Sequence, residues 1–208
     1  MRDINILHED QHSIIINKPA GLAVQGGKGI NFSLDDYFKN FGAVLIHRLD
    51  RDTSGVLLAA KENDAARFSK IFGAQRKAEK IYTAVCADRP ENDKGVINDD
   101  LLVHGAVKKS ETKYKLMKTG KLSGIDFEYS VLELELGTGR MHQIRRHLAM
   151  INCPVLGDDK YGNFQLNKNL RKSIGLKKML LHASRLIIKE FNIDITAPFP
   201  AYFNLFLS

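Results

Sequence analysis

The apolar residues of this chain fall in short runs, and the clearest of them repeats every second position. In residues 131–136, Leu132, Leu134 and Leu136 share one side while Glu133 and Glu135 share the other, as expected of a strand with one solvated face. Residues 13–17 form a compact apolar run stopped by Lys18-Pro19-Ala20-Gly21, which must turn. Residues 55–60, 81–87 and 112–118 predict further strands, 179–195 predicts a strand pair, and a first strand is expected to begin near Ile4. Helical spacing occurs three times. Ser33 can cap a helix carrying Leu34, Tyr37, Phe38 and Phe41 on one face, with Asp36 at the capping-box position. Asn63 is expected to cap a second helix with Ala65, Phe68 and Phe72 inward. Residues 141–151 predict a third, with Met141, Ile144, Leu148 and Ile151 at helical spacing. Strands outnumber helices and do not alternate with them regularly. The pattern argues for an α+β fold with a largely antiparallel sheet, not a βαβ nucleotide-binding fold. The polar, proline-containing stretch 88–94 reads as an exposed loop rather than a domain boundary.

Composition changes this picture in one respect. At 208 residues, 44% hydrophobic and 26% charged, the chain can bury a core and lacks the signature of disorder. Its 31 Lys and Arg against 24 Asp and Glu give a net charge of +7, which favours a polyanionic partner. Two cysteines, Cys86 and Cys153, are too few for a disulfide scaffold or a cysteine-rich zinc site and read as packed thiols in a reducing compartment. The start of the chain lacks a signal-peptide core, and no apolar run nears the roughly 20 residues of a membrane span. A cytoplasmic location is expected.

The densest polar cluster is His47-Arg48-Leu49-Asp50-Arg51-Asp52-Thr53-Ser54-Gly55. It lies between the apolar lead-in Ala43-Val44-Leu45-Ile46 and the strand at Gly55, so both of its ends are tied to the core. Arg48 and Arg51 are expected to keep Asp50 ionised, and an ionised, fixed carboxylate can attack an electron-poor carbon. The same arginines suit RNA phosphates and bases. Taken alone, the cluster also fits a surface turn with salt bridges. His142 and His147 lack a carboxylate or cysteine at ligand spacing, and Gly137–Arg140 lacks the Gly-Lys-Ser/Thr ending of a phosphate loop.

His47 to Gly55, continuing into Val56-Leu57-Leu58-Ala59-Ala60-Lys61, resembles the signature of the RluA family of RNA pseudouridine synthases. Three further segments agree in order: Lys80-Ile81-Tyr82-Thr83-Ala84; Thr138-Gly139-Arg140-Met141-His142-Gln143-Ile144-Arg145 with Pro154-Val155-Leu156-Gly157-Asp158 and Tyr161-Gly162; and Leu181-His182-Ala183. The opening Asn17-Lys18-Pro19-Ala20-Gly21 also fits. The resemblance implies a single pseudouridine synthase catalytic domain over 1–208, with a mostly antiparallel mixed sheet flanked by helices and loops, and no separate N-terminal RNA-binding module. It assigns Asp50 as the catalytic carboxylate, Tyr82 as the ring that stacks on the target base, and Arg145 as the basic partner of that carboxylate. Arg48 would brace the space the base leaves, and His47, Arg51, Arg140, His142 and Gln143 are further RNA-binding candidates. No cofactor or metal is implied.

The chain departs from the family pattern at Met141, Arg146 and Asn152-Cys153; the first two bear on RNA contacts more than on chemistry. Ala23–Gly29 and Lys109–Tyr114 resemble the large-subunit ribosomal RNA branch, whereas Arg145-Arg146-His147-Leu148 resembles the transfer RNA branch. Ribosomal RNA is the expected partner, with transfer RNA as the alternative, and basic patches such as 168–178 would guide target choice. The chain is expected to be a monomer, since RNA supplies the large partner surface. Two readings from other classes are a non-catalytic RNA-binding or ribosome-assembly protein, and a glycosidase. The first is disfavoured by intact Asp50, Tyr82 and Arg145; the second needs a paired carboxylate, for which Asp52 is the only neighbour.

Overall fold

The computed structural model describes residues 4–122 and 127–208. The chain divides into two compact units, Met1–Lys80 with Ala183–Phe199 and Ile81–His182 with Pro200–Ser208. Two of the boundaries, at 80/81 and 182/183, fall inside β-strands (Glu79–Ala87 and Leu181–Ile188), which is why no composition shift announces them.

In the first unit, β1 (Asn5–Glu9), β2 (Ser13–Lys18), β4 (Ser54–Lys61) and β11 (Leu181–Ile188) lie in that order. β3 (Ala43–Leu45) pairs with β4, and β12 (Ile193–Thr196) pairs with β11. β2 and β4 run antiparallel from Ser13↔Ala60 to Lys18↔Gly55. That register sets the last residue of one strand beside the first residues of the other, at the base of the Asp50 loop. α1 (Leu34–Lys39) starts as the capping box predicts: the Ser33 hydroxyl oxygen accepts from the Asp36 amide and donates to its carboxylate at 2.6 Å. Leu34 and Phe38 are buried, but Phe41 lies beyond the helix C-cap at Asn40 and is exposed. α2 (Ala65–Phe72) is preceded by a 3-10 turn that absorbs Asn63, so Asp64 occupies the cap position, with its carboxylate bonded to His12 Nδ1 at 2.8 Å rather than to the helix N-terminus. Phe68 and Ile71 enter a core with Ile15, Val56, Leu58, Leu186 and Ile188.

The second unit carries β5 (Glu79–Ala87), β10 (Glu128–Leu136), β9 (Thr112–Lys121) and β6 (Lys94–Ile97) in that order, all pairings antiparallel, and a separate hairpin of β7 (Leu101–Val103) and β8 (Ala106–Lys108). The alternation in β10 is borne out: Leu132 and Leu134 are fully buried, and Glu133 and Glu135 are exposed. α3 (Gln143–Met150) begins two residues later than the hydrophobic spacing predicts, because His142 adopts a left-handed φ of 53°. α4 (Phe164–Ser173), capped by Asn163, and α5 (Asn204–Leu207) with the 3-10 turn before it pack Leu170, Phe203 and Phe206 against Val85, Tyr129 and Val131. Among the described residues, no helix is long and apolar enough to cross a membrane.

Gly55 shows how tightly β4 is seated. Its φ is +110°, and a Cβ there would lie 2.1 Å from the Ala183 carbonyl oxygen. Gly55→Ala combines a disfavoured backbone with a clash against main chain, so it is expected to lower unfolding free energy by about 3 kcal/mol or more. Chemical denaturation checks this; a loss below about 1 kcal/mol would mean that the strand start can shift to accommodate the methyl group.

Candidate active site

The loop that carries Asp50 is fixed by its own backbone. β2 ends at Lys18, whose side chain is fully buried and donates to the carbonyl oxygens of Pro19 (3.0 Å), Leu22 (2.9 Å) and Arg51 (2.8 Å). The Arg51 carbonyl also accepts from the Gly21 amide at 2.8 Å, and the Thr53 amide donates to the Asp50 carbonyl at 3.2 Å. Buried Leu49 on one side and buried Thr53 and Ser54 on the other pin the ends, leaving the half-buried Asp50 between exposed Arg48 and Arg51. The flanking arginines each bond the loop that follows β2. Arg48 Nη1 donates to Gln25 Oε1 at 3.2 Å, and Arg51 Nε donates to the Gly21 carbonyl at 3.2 Å.

His47 faces inward. Its Nε2 accepts from the Leu58 amide at 3.0 Å, and its ring stacks on Phe72 with centroids 4.7 Å apart. Burial, with a smaller contribution from Lys80, pushes its pKa down to about 3. The ring is thus neutral and fastens the loop to β4.

In the second unit, Tyr82 is buried on β5 opposite Leu134. Arg145, on α3, makes a fork to Asp158: Nε to Oδ2 at 2.7 Å and Nη2 to Oδ1 at 2.8 Å. Asp158 Oδ1 also accepts from the amides of Lys160 and Tyr161. Burial alone would raise the Asp158 pKa, but these bonds and the guanidinium charge outweigh it and leave the carboxyl below its usual range. The Tyr161 ring lies 5.2 Å from the Arg145 guanidinium, and its hydroxyl bonds His142 Nδ1 at 3.0 Å. Gln143 is buried with both ends of its amide used. Its oxygen accepts from Thr138 and the Arg140 amide, and its nitrogen donates to the Glu111 carbonyl and to Thr112. Arg140 Nε donates to the Lys109 carbonyl. Both ring nitrogens of His147 are engaged, with Thr112 on one side and Ser110 and the Asp99 carbonyl on the other. Among the described residues, no group of His, Cys, Asp and Glu is arranged to hold a metal ion.

Residues 12–150 match the family model described as RNA pseudouridylate synthase. The chain belongs to that family. The matched span contains Asp50, Tyr82 and Arg145. The synthase is 36% identical over 96% of its length to the ribosomal large subunit pseudouridine synthase C of Rickettsia bellii, covering 69% of that protein. It is 31% identical over 95% of its length to the protein of the same name from Vibrio cholerae, covering 66% of it. Among solved structures, the human RNA pseudouridylate synthase domain containing 4 superposes with a TM-score of 0.80 at 25% identity, over 98% of this chain and 91% of that one. The synthase is therefore an isomerase that converts RNA uridine to pseudouridine.

Two groups of this enzyme are not marked by sequence alone. Lys18 and Asp158 appear there as members of motif segments, without a role of their own. A helical arginine facing inward needs a counter-charge, and that requirement is the signal that singles out Asp158.

The depressed His47 pKa gives a testable pH dependence. The imidazole binds a proton below about 6.5 in the unfolded chain but only near 3 in the folded one. Its stabilising contribution is complete above about pH 6.5 and is lost as pH falls from there toward 3. His47→Gln, which keeps an acceptor for the Leu58 amide, is expected to make the fall in stability over that window shallower by one proton. Denaturant unfolding between pH 7 and 4 measures this; identical slopes for the two proteins would refute it.

Proposed function

We propose that this synthase modifies uridines of large-subunit ribosomal RNA, with Asp50 acting at the ribose. The observation that carries the RNA target is the similarity, over nearly the whole chain, to relatives named for the large ribosomal subunit. The surplus of +7 supports a nucleic acid partner. The reaction breaks the bond from ribose carbon 1′ to uracil nitrogen 1, turns the base, and forms a bond from carbon 1′ to carbon 5. A proton leaves carbon 5 and nitrogen 1 gains one, so nothing is consumed. Asp50 can serve either by attacking the cationic anomeric centre, as a carboxylate does in retaining glycosidases, or by removing the proton of the neighbouring carbon.

The uridine must leave its stack to be reached. Tyr82 stacks on the extruded base and assists the proton transfer from carbon 5. Arg145 orients the catalytic carboxylate; the Asp158 fork supports this role by fixing one edge of the guanidinium. Arg48, Arg51, Arg140 and His142 contact RNA, whereas the inward bonds of His47 and Gln143 support a role in holding their loops. The chain works as one catalytic domain over 1–208, as a cytoplasmic monomer, without cofactor or metal.

Pseudouridine mapping of total RNA from cells lacking the protein tests this reading. At least one large-subunit site is expected to vanish, to return with the wild type, and to stay absent with Asp50→Ala. Restoration by Asp50→Ala would reject Asp50 as the catalytic group. A lost site confined to transfer RNA would reject the target.

A further inference from the structure

The positive charge of the chain is concentrated in one place. Residues 160–178 contain Lys160, Lys168, Arg171, Lys172, Lys177 and Lys178 and no Asp or Glu, so this segment supplies six of the net seven charges. All six side chains are exposed. Lys160 lies over the Tyr161 ring and Arg171 pairs with Asp159 at 3.4 Å. The side chains of Lys168, Lys172, Lys177 and Lys178 make no hydrogen bond or ion pair among the described residues.

Helical spacing puts these charges on one stripe. Leu166, Asn167 and Leu170 face inward, while Phe164, Lys168 and Lys172 follow one another at intervals of four along the outer face. Phe164 is 72% exposed at the head of that stripe. A solvated helix face ordinarily alternates charge signs, and like charges four apart repel. Here the repulsion is left uncompensated within the protein, next to an aromatic ring that no core claims. The surface is also rigid. Asn167 Nδ2 donates to the Asp158 carbonyl and its Oδ1 accepts from the Gly157 amide, both at 2.9 Å. A Cβ at Gly157 would lie 2.3 Å from the Lys178 carbonyl, so the 175–178 turn is packed on the same peptide.

We propose that the outer face of α4 and the turn at 175–178 form a docking surface for RNA backbone phosphates that flank the modified loop, with Phe164 offering a ring to an unstacked base. The proposal rests on the RNA-modifying reading and adds a second contact region to it. The lysines neutralise phosphates, and each contact releases counterions; the ring stacks without regard to sequence. This surface governs affinity for long RNA, and the catalytic loop governs conversion.

The test compares wild type with the variant Lys168→Gln/Lys172→Gln/Lys177→Gln/Lys178→Gln on two RNAs: a transcribed large-subunit fragment and the short stem-loop around its modified uridine. Binding is read by fluorescence anisotropy across salt concentrations, and conversion by tritium release from carbon 5. On the long fragment the slope of log K against log salt should flatten by about 3, since each lost contact removes about 0.7 to 0.9. Conversion of the saturated stem-loop should keep the wild-type rate. Phe164→Ala should weaken long-fragment binding about tenfold with the slope unchanged. An unchanged slope in the lysine variant overturns the proposal, as does an equal loss of affinity for the stem-loop. Failure of the wild type to convert either RNA would instead reject the functional reading, and the slopes, which report binding alone, still decide the docking surface.

Discussion

The ammonium group of Lys18 is the interaction on which the loop bearing Asp50 depends. It sits at the end of β2, fully buried, with carbonyl oxygens of Pro19, Leu22 and Arg51 within 3.0 Å. A buried charge without partners costs several kcal/mol, roughly the scale of a domain's whole stability. Three charge-assisted hydrogen bonds offset that cost only while all three carbonyls stay where they are. The turn after β2 and the segment following Asp50 are therefore held by one atom. Gly21 adds its amide to the same Arg51 carbonyl, and Gly55 closes the loop by admitting main chain where a side chain would clash.

A second charge is handled in a similar way in the other unit. Arg145 is buried on α3, and its guanidinium is oriented by a carboxylate that this guanidinium and two backbone amides keep ionised. Asn167 of α4 clasps the peptide that carries this carboxylate. The orientation of Arg145 thus rests on a helix whose outer face carries Lys168, Arg171 and Lys172. Both constraints are local bonds between polar groups taken out of water, and both fix residues in the segments most diagnostic of the family.

Much of this was legible in the sequence. β10 could be read from Leu132 and Leu134 because side-chain alternation is a direct consequence of strand geometry. α1 could be read from Ser33 and Asp36 because a cap is a contact over three residues. The family could be read from the His47–Gly55 segment because so many chemically specific residues recur there in order. What stayed hidden depends on partners distant in sequence. The bonds of Arg48 to Gln25 and of Arg51 to the Gly21 carbonyl could not be read from adjacency. The bond of His47 to the Leu58 amide and its stacking on Phe72 could not be read from the motif. α4 went unread because its inward face is narrow, with Leu166 and Leu170 among polar residues. The late start of α3 follows from a left-handed His142, which hydrophobic spacing does not reveal.

The most direct test of the central claim, that Lys18 fixes the backbone from which Asp50 acts, is the single-turnover rate of Lys18→Met on the modified stem-loop, with folding verified by circular dichroism. Misplacing a reacting group by about 1 Å can cost a hundredfold, so the rate is expected to fall by about that factor while the Kd for the RNA stays within about twofold of wild type. A folded Lys18→Met that converts uridine at the wild-type rate would contradict the account.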